Sequence, residues 1–80
     1  MKIQILLFGI TTDLLGTSSL TFEIPTATTI SGLKAQLLIK YPQLENINSY
    51  AIAVNEEYAS NEIILKKNDV IAIIPPVSGG

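Results

Sequence analysis

One stretch of this 80-residue chain, Thr29 to Tyr41, has helical periodicity, and short apolar segments with the period of a strand lie on both sides of it. Ile30, Leu33, Leu37, Leu38 and Tyr41 recur at helical spacing and form a single apolar stripe. Thr29 is a good N-cap, its hydroxyl placed to accept a bond from the backbone N–H of Gly32. Pro42 disfavours helix at Tyr41 and ends the run. Gly32 costs about 1 kcal/mol relative to alanine, which one strong stripe offsets. Lys34 and Lys40 lie mostly off the stripe and suit the C-terminal half of the helix dipole. A lone helix of this kind must bury its stripe against another layer, and the flanking segments have to supply it as a sheet.

Lys2 to Phe8 is rich in Ile and Leu, lacks Gly and Pro, and predicts a strand with Ile3, Ile5 and Leu7 on one face. Its other face starts polar (Lys2, Gln4) and turns apolar (Leu6, Phe8), so its end is central in the sheet or covered. Thr12 to Leu15 predicts a helical turn stopped by Gly16. Leu20 to Ile24 alternates like a half-buried strand ending at Pro25, and its spacing suits a hairpin with the first strand. After a polar loop at Glu45 to Ser49, Tyr50 to Val54 predicts a third strand. Asn55-Glu56-Glu57 follows as a turn and Tyr58-Ala59 as the stub of a fourth. Lys66 to Asp69 predicts a second turn, in which Asn68 accepts positive φ more readily than most residues. Val70 to Ile74 is β-branched apart from Ala72 and predicts a buried central strand. The first and last strands are the most hydrophobic and are expected side by side in mid-sheet. One mixed sheet on one main helix is an α+β two-layer domain, and this order of elements describes a β-grasp, the ubiquitin-like roll. The domain is expected over residues 1–74, with 75–80 as a flexible C-terminal tail.

Composition excludes several chemistries. There is no cysteine and no histidine, so disulfides, thiolate nucleophiles, the usual zinc ligands and imidazole acid–base chemistry are absent. Five lysines, no arginine and seven carboxylates give a net charge of −2, a poor match for nucleic acid. Charged residues are 15% of the chain, against roughly 25% in an average domain. Apolar residues reach 48%, thirteen of them isoleucine, which leaves an unusually uncharged exterior and points to a surface covered by a partner. The longest apolar run, Ile5 to Ile10, falls far short of the ~20 residues of a spanning helix. No membrane association is expected, no secretory signal is visible, and the expected compartment is the cytosol.

The tail carries the chemistry. Pro75 and Pro76 end the last strand, because neither can donate to a ladder, and they stiffen the root toward polyproline II. Residues Pro75 to Gly80 reach roughly 20 Å when extended, enough to enter a neighbouring protein's pocket. Gly79 and Gly80 carry no side chain, which fits a channel too narrow for a Cβ and leaves the terminal carbonyl open to attack. A frayed end is the bland alternative, yet two glycines at the very end arise by chance in roughly 0.5% of chains.

The stretch NDVIAIIPPVSGG, Asn68 to Gly80, resembles the end of the small, sulfur-carrier subunits of molybdopterin synthases. LLFGITTDLLG, Leu6 to Gly16, is similar to that family's aromatic strand end with its short helix and glycine, and AVNEEY, Ala53 to Tyr58, to its Ala-Val-Asn turn. Two positions depart from the pattern: Asn68 replaces the usual turn glycine, and Thr12 stands where the family often has arginine. The resemblance implies that Gly80 is the working residue, a co-substrate and not a catalyst acting alone. An ATP-using adenylyltransferase of the ubiquitin-activating type would convert its carboxylate to an acyl adenylate. Sulfur from a donor protein would then displace AMP and leave a thiocarboxylate. The loaded tail would enter the molybdopterin synthase large subunit and give sulfur to a cyclic pyranopterin, two carriers being consumed per dithiolene in a dimer of heterodimers. The carrier would bind no cofactor or metal itself, and positioning groups would come from its partners.

If Ile3, Ile5, Leu7, Ile71 and Ile73 face the helix, then Leu6, Phe8, Ala72 and Ile74 share the outer side, where Tyr58 can join them. This predicts an apolar docking patch beside the tail root, comprising Phe8, Tyr58 and Ile74 with Pro75, Pro76, Val77, Ser78 and Gly79. Tyr41 and Tyr50 are expected to pack at the core edge, and Glu56-Glu57 and Lys66-Lys67 to be solvated turns. Two alternatives stand beside the first reading: a carrier serving thiamine synthesis or tRNA thiolation, and a noncovalent interaction module with an inert tail. An autonomous enzyme finds no support, since Ser78 has no histidine to activate it.

Overall fold

A computed structural model describes residues 1–46 and 50–75. The expected β-grasp is present. β1 (Lys2–Leu7) and β2 (Ser19–Glu23) form an antiparallel hairpin, with the short helix α1 (Ile10–Leu15) between them. Helix α2 (Ile30–Lys40) crosses the sheet and leads through a 3₁₀ helix, Pro42–Asn46, to β3 (Ala51–Val54), β4 (Glu57–Tyr58) and β5 (Val70–Ile74). The sheet order is β2-β1-β5-β3-β4. β5 runs parallel to β1 and antiparallel to β3, so the two most apolar strands lie side by side as the sequence predicts.

The inner face of the sheet and one face of α2 make the core. Ile3, Ile5 and Leu7 from β1, Ile71 and Ile73 from β5, and Ile52 from β3 meet Ile30, Leu33 and Leu37 from α2, and all are buried. Burial of each such side chain contributes about 1.5–3 kcal/mol, which makes this cluster the main source of stability in so small a domain. Tyr41 and Tyr50 pack half-buried against it, at the core edge where they were expected. Leu44 of the 3₁₀ helix, just before the predicted loop, joins the core, and Glu45 and Asn46 of that loop belong to the same helix.

The start of α2 is held as its sequence implies. The Thr29 hydroxyl accepts from Gly32 N–H at 3.1 Å, and the preceding N–H groups of Ile30 and Ser31 donate to the carbonyls of Ile63 and Asn61. Three of the orphan donors of a helix N-terminus are thereby satisfied. The apolar stripe is narrower than predicted. Leu38 is 42% exposed, because the sheet is wide enough to cover only the Ile30–Leu33–Leu37 ridge; Ile39, off the predicted stripe, is 80% exposed.

Smaller differences lie at the element ends. α1 begins at Ile10, two residues before the predicted turn, and stops as predicted at Gly16, which is left-handed at φ 73°. The third strand begins at Ala51 instead of Tyr50. Asn68 adopts φ 70° in the turn before β5, which its side chain tolerates.

Candidate functional site: the outer face of the sheet

Registered partners in a sheet share a face, so the outer surface can be followed strand by strand. Leu6 sits opposite Ala72, Ala72 opposite Ala53, and Ala53 opposite Tyr58, which makes one apolar row from β1 to β4. Gln4 is paired with Val70 and Ile74 with Ala51 on the same side. On the β1–β2 half this face is polar, with Lys2 opposite Glu23 and Gln4 opposite Thr21. The apolar half therefore centres on β5, the strand that leads into the tail.

An open groove of about 450 Å³ lies there, lined by Leu6, Phe8, Val70 and Ala72, with Asn55 and Glu56 at its rim. Phe8 is half exposed and Tyr58 is 76% exposed, although both are aromatic. Large apolar side chains left in water beside an apolar groove make this face a candidate docking surface. Tyr58 and Ile74 share the face and flank the groove without lining it. The predicted parity of the outer residues is thus the one the register produces.

Two local devices hold the groove in shape. At the Phe8 end, Thr11 is fully buried, and its hydroxyl accepts from the Phe8 N–H at 3.0 Å while donating to the Phe8 carbonyl. The Thr12 hydroxyl donates to the Leu7 carbonyl at 3.1 Å. The end of β1 is thereby pinned after its ladder has stopped. At the rim, Asn55 and Glu56 form the two-residue hairpin loop between β3 and β4, with φ 50° and 73°. Positive φ at both central positions is the mark of a type I′ turn. The Asn55 side chain accepts from Val70 N–H at 3.0 Å and donates to Asp69 at 3.0 Å, while Asp69 also accepts from Lys66 N–H at 2.7 Å. This network ties the hairpin to the start of β5.

The root of the tail adjoins the Phe8 end. Parallel pairing carries β1 and β5 to the same edge, with Leu7 opposite Ile73. Beyond them Gly9 and Pro75 approach so closely that a Cβ on Gly9 would lie 3.1 Å from Pro75 Cγ. Pro75 is partly buried. Among the described residues no group of three or more His, Cys, Asp or Glu side chains comes together that could hold a metal ion.

The sequence matches the ThiS family over residues 5–80. A molybdopterin synthase sulfur carrier subunit from Arabidopsis thaliana is 38% identical over 81 residues, spanning 100% of this chain and 84% of the relative. The chain belongs to the ThiS family. Among solved structures, the small archaeal modifier protein 1 of Haloferax volcanii superposes with a TM-score of 0.84 at 19% identity, covering 95% of this chain and 98% of that one. At that identity the match speaks for the fold. A complex of subunits 1 and 2 of the molybdopterin-converting factor of Helicobacter pylori contains a chain that matches with a TM-score of 0.70 at 27% identity, over 100% of both chains.

In this ThiS-family chain the structure brings Phe8, Ile74 and Pro75 together at one end of the outer face, with Tyr58 at its far edge. Pro76, Val77, Ser78, Gly79 and Gly80 lie outside the described residues, as do Ile47, Asn48 and Ser49 of the predicted polar loop. Thr12, the departure from the usual arginine, is used at the strand end through its hydroxyl. Sequence reasoning missed Gly9, Thr11, Asn55 and Val70. Val70 was recoverable, since the period of two places it on the same side as Ala72. The role of Thr11 depends on a turn geometry that no spacing rule supplies.

A second hollow, of about 350 Å³, lies on the far side of the domain between Lys34, Ala35, Leu38, Leu44, Glu45 and Tyr50. Lys34 Nζ stands 5.5 Å from the centre of the Tyr50 ring and donates to Asn61. Burial pushes the Tyr50 phenol above its ordinary value of 10.0.

Proposed function

We propose that this protein is a sulfur carrier subunit of molybdopterin synthase, in which Gly80 is adenylated, converted to a thiocarboxylate and made to donate sulfur to a cyclic pyranopterin. A carboxylate is a poor electrophile, so ATP is used by an adenylyltransferase of the ubiquitin-activating type, and sulfur from a donor protein displaces AMP. The carrier acts as a co-substrate. Its own contributions are a side-chain-free end, a stiff proline root and a docking face.

The observation that carries the reading is the position of the tail root. β5 is at once the centre of the apolar outer face and the strand that runs into Pro75-Pro76-Val77-Ser78-Gly79-Gly80. A partner that covers Leu6, Phe8 and Ala72 therefore holds the start of a segment with a reach of roughly 20 Å. Docking turns the reaction of the end group into an effectively intramolecular one. Family membership supports the reading, as do relatives described as molybdopterin synthase sulfur carrier subunits at 38% and 39% identity. The two-subunit Helicobacter pylori complex supports a large-subunit partner.

The test is intact mass after incubation with the activating enzyme, ATP and a sulfur source, followed by conversion of the pyranopterin with the large subunit. The expected result is exchange of one oxygen for sulfur at Gly80 and formation of the dithiolene. Deleting Gly80 is expected to abolish both while docking survives. Thiolation without pterin conversion points instead to a carrier for thiamine synthesis or tRNA thiolation. Full activity of the deletion variant leaves a noncovalent module.

A further inference from the structure

We infer that Gly9 is a positioning residue: the absence of a side chain at this position forms the seat for Pro75, and the seat sets the point and direction from which the chain continues toward the partner. This rests on the sulfur-carrier reading above. Pro75 follows the last ladder residue of β5 and has no N–H, so a hydrogen bond from its own backbone nitrogen cannot hold it against β1. Packing has to replace that bond. The atom facing it belongs to Gly9, where a Cβ would stand 3.1 Å from Pro75 Cγ, closer than ordinary van der Waals contact.

The seat itself is fixed from both sides. The Gly9 carbonyl accepts from Thr12 N–H at 3.1 Å, and the preceding residue, Phe8, is clamped through both backbone groups by the buried Thr11 hydroxyl. Gly9 stands at φ 56° and ψ −135°, a conformation that glycine adopts and L side chains rarely do. Backbone freedom and space are thus required at the same residue. The backbone requirement concerns the start of α1. The space concerns only the tail root. Because Phe8 lines the docking groove and its neighbour Gly9 touches Pro75, the covered surface and the tail root share one rigid corner. Docking fixes that corner in the partner, and the seat then aims the tail. A tail root displaced by about 1 Å can cost on the order of 10²-fold in a reaction that depends on placement of the end group.

The experiment uses the full chain carrying a thiocarboxylate at Gly80, prepared chemically so that activation is bypassed, with the large subunit and the cyclic pyranopterin. Gly9→Ala, Gly9→Leu and Pro75→Ala are compared with the unaltered chain in single-turnover sulfur transfer, in Kd for the large subunit, and in melting temperature. The expected result is a fall in the transfer rate that grows with the side chain at position 9. Gly9→Leu should lose about tenfold or more while Kd stays within about twofold. Pro75→Ala leaves position 9 and its backbone untouched and empties the seat from the other side; because Pro75 also belongs to the predicted docking patch, it should lower the transfer rate at saturating large subunit by more than it raises Kd. If Gly9→Leu fails to fold, Gly9→Ala and Pro75→Ala carry the test. Transfer by these variants at the unaltered rate overturns the inference, and so does a loss that appears wholly in Kd. Failure of the unaltered thiocarboxylate to transfer any sulfur strikes the carrier reading instead.

Discussion

Thr11 lies at a place where the backbone runs out of partners. β1 ends at Leu7, and Phe8 has to turn away from the sheet with an N–H and a carbonyl that the ladder no longer serves. The Thr11 hydroxyl serves both. Thr11→Val keeps the shape and removes the hydroxyl, leaving the part-buried Phe8 N–H without this partner, while the Phe8 carbonyl keeps its bond from the Thr11 N–H at 3.2 Å. The expected cost is about 1–3 kcal/mol, read as a lower urea midpoint at unchanged slope. Thr11→Ser retains the hydroxyl, and its smaller loss, about 1 kcal/mol, reflects only the missing methyl group. A loss for Thr11→Ser with none for Thr11→Val would show that the methyl packing, and not the hydroxyl, holds Phe8. Tyr50 makes a second residue-scale prediction. Burial raises its phenol pKa above 10.0, so the folded state holds the proton more tightly than the unfolded chain does. That contribution is complete below the unfolded pKa and is lost as pH rises through the folded one. Stability is therefore expected to fall above about pH 10, and Tyr50→Phe should flatten that part of the profile relative to the unaltered chain. An unchanged slope in the variant would mean that the phenol titrates alike in both states.

At the level of elements, the β3–β4 hairpin is a place where sequence and geometry disagree. A type I′ turn favours Asn-Gly, and here Glu56 occupies the second position at φ 73°. A side chain in the left-handed region costs roughly 1–2 kcal/mol relative to glycine, so Glu56→Gly is expected to raise stability by up to about 1 kcal/mol after the entropy of the freer unfolded chain is counted. Thermal or urea unfolding measures it, and a loss of stability would mean that the turn strain is already relieved by contacts of the Glu56 side chain. The same comparison explains what the sequence made legible. β1, β2, α2 and β5 were readable because their signals are local: alternation, an N-cap threonine, a terminating proline and a β-branched run. The fold and the parity of the outer face follow from those four elements. Leu38 was misread because helical spacing states which residues align, not how wide a sheet will cover them. Leu44 was missed because a five-residue 3₁₀ helix has too little length to show a period, and its burial is imposed by α2. The Asn55–Asp69 link joins residues 14 apart in sequence through a side-chain bond, and no window-based pattern contains it.

Among the described residues, large exposed apolar side chains lie on the outer face of the sheet, on α2 and α1, and in the segment between β4 and β5 at Ile63 and Ile64. Phe8 and Tyr58 lie on the outer face of the sheet, whereas Ile39, 80% exposed, lies on the helix that packs against the inner face. Exposed area alone would rank Ile39 with the docking residues. Placement ranks it apart, since on the proposed function a partner that receives Gly80 contacts the side from which β5 emerges. Phe8→Ser and Tyr58→Ser each remove an aromatic anchor from that side. Loss of such an anchor from an interface costs about 2 kcal/mol, or roughly 30-fold in Kd. Ile39→Ser, equally apolar to polar, is expected to leave Kd for the large subunit within about twofold, since rim and remote positions contribute little. Calorimetric titration of the three variants against the large subunit checks the assignment, with melting temperatures to establish that each is folded. If Ile39→Ser weakened binding as much as Phe8→Ser, the partner would have to grip the helix side, and the tail would start on the wrong face of the domain to reach it by the shortest path. If only the sheet variants lose affinity, then the position of β5 in the middle of the fold has a functional consequence. On the proposed function, the strand that completes the core is also the one that leads into Gly80, so the tail root takes its place beside the docking face only in the folded domain.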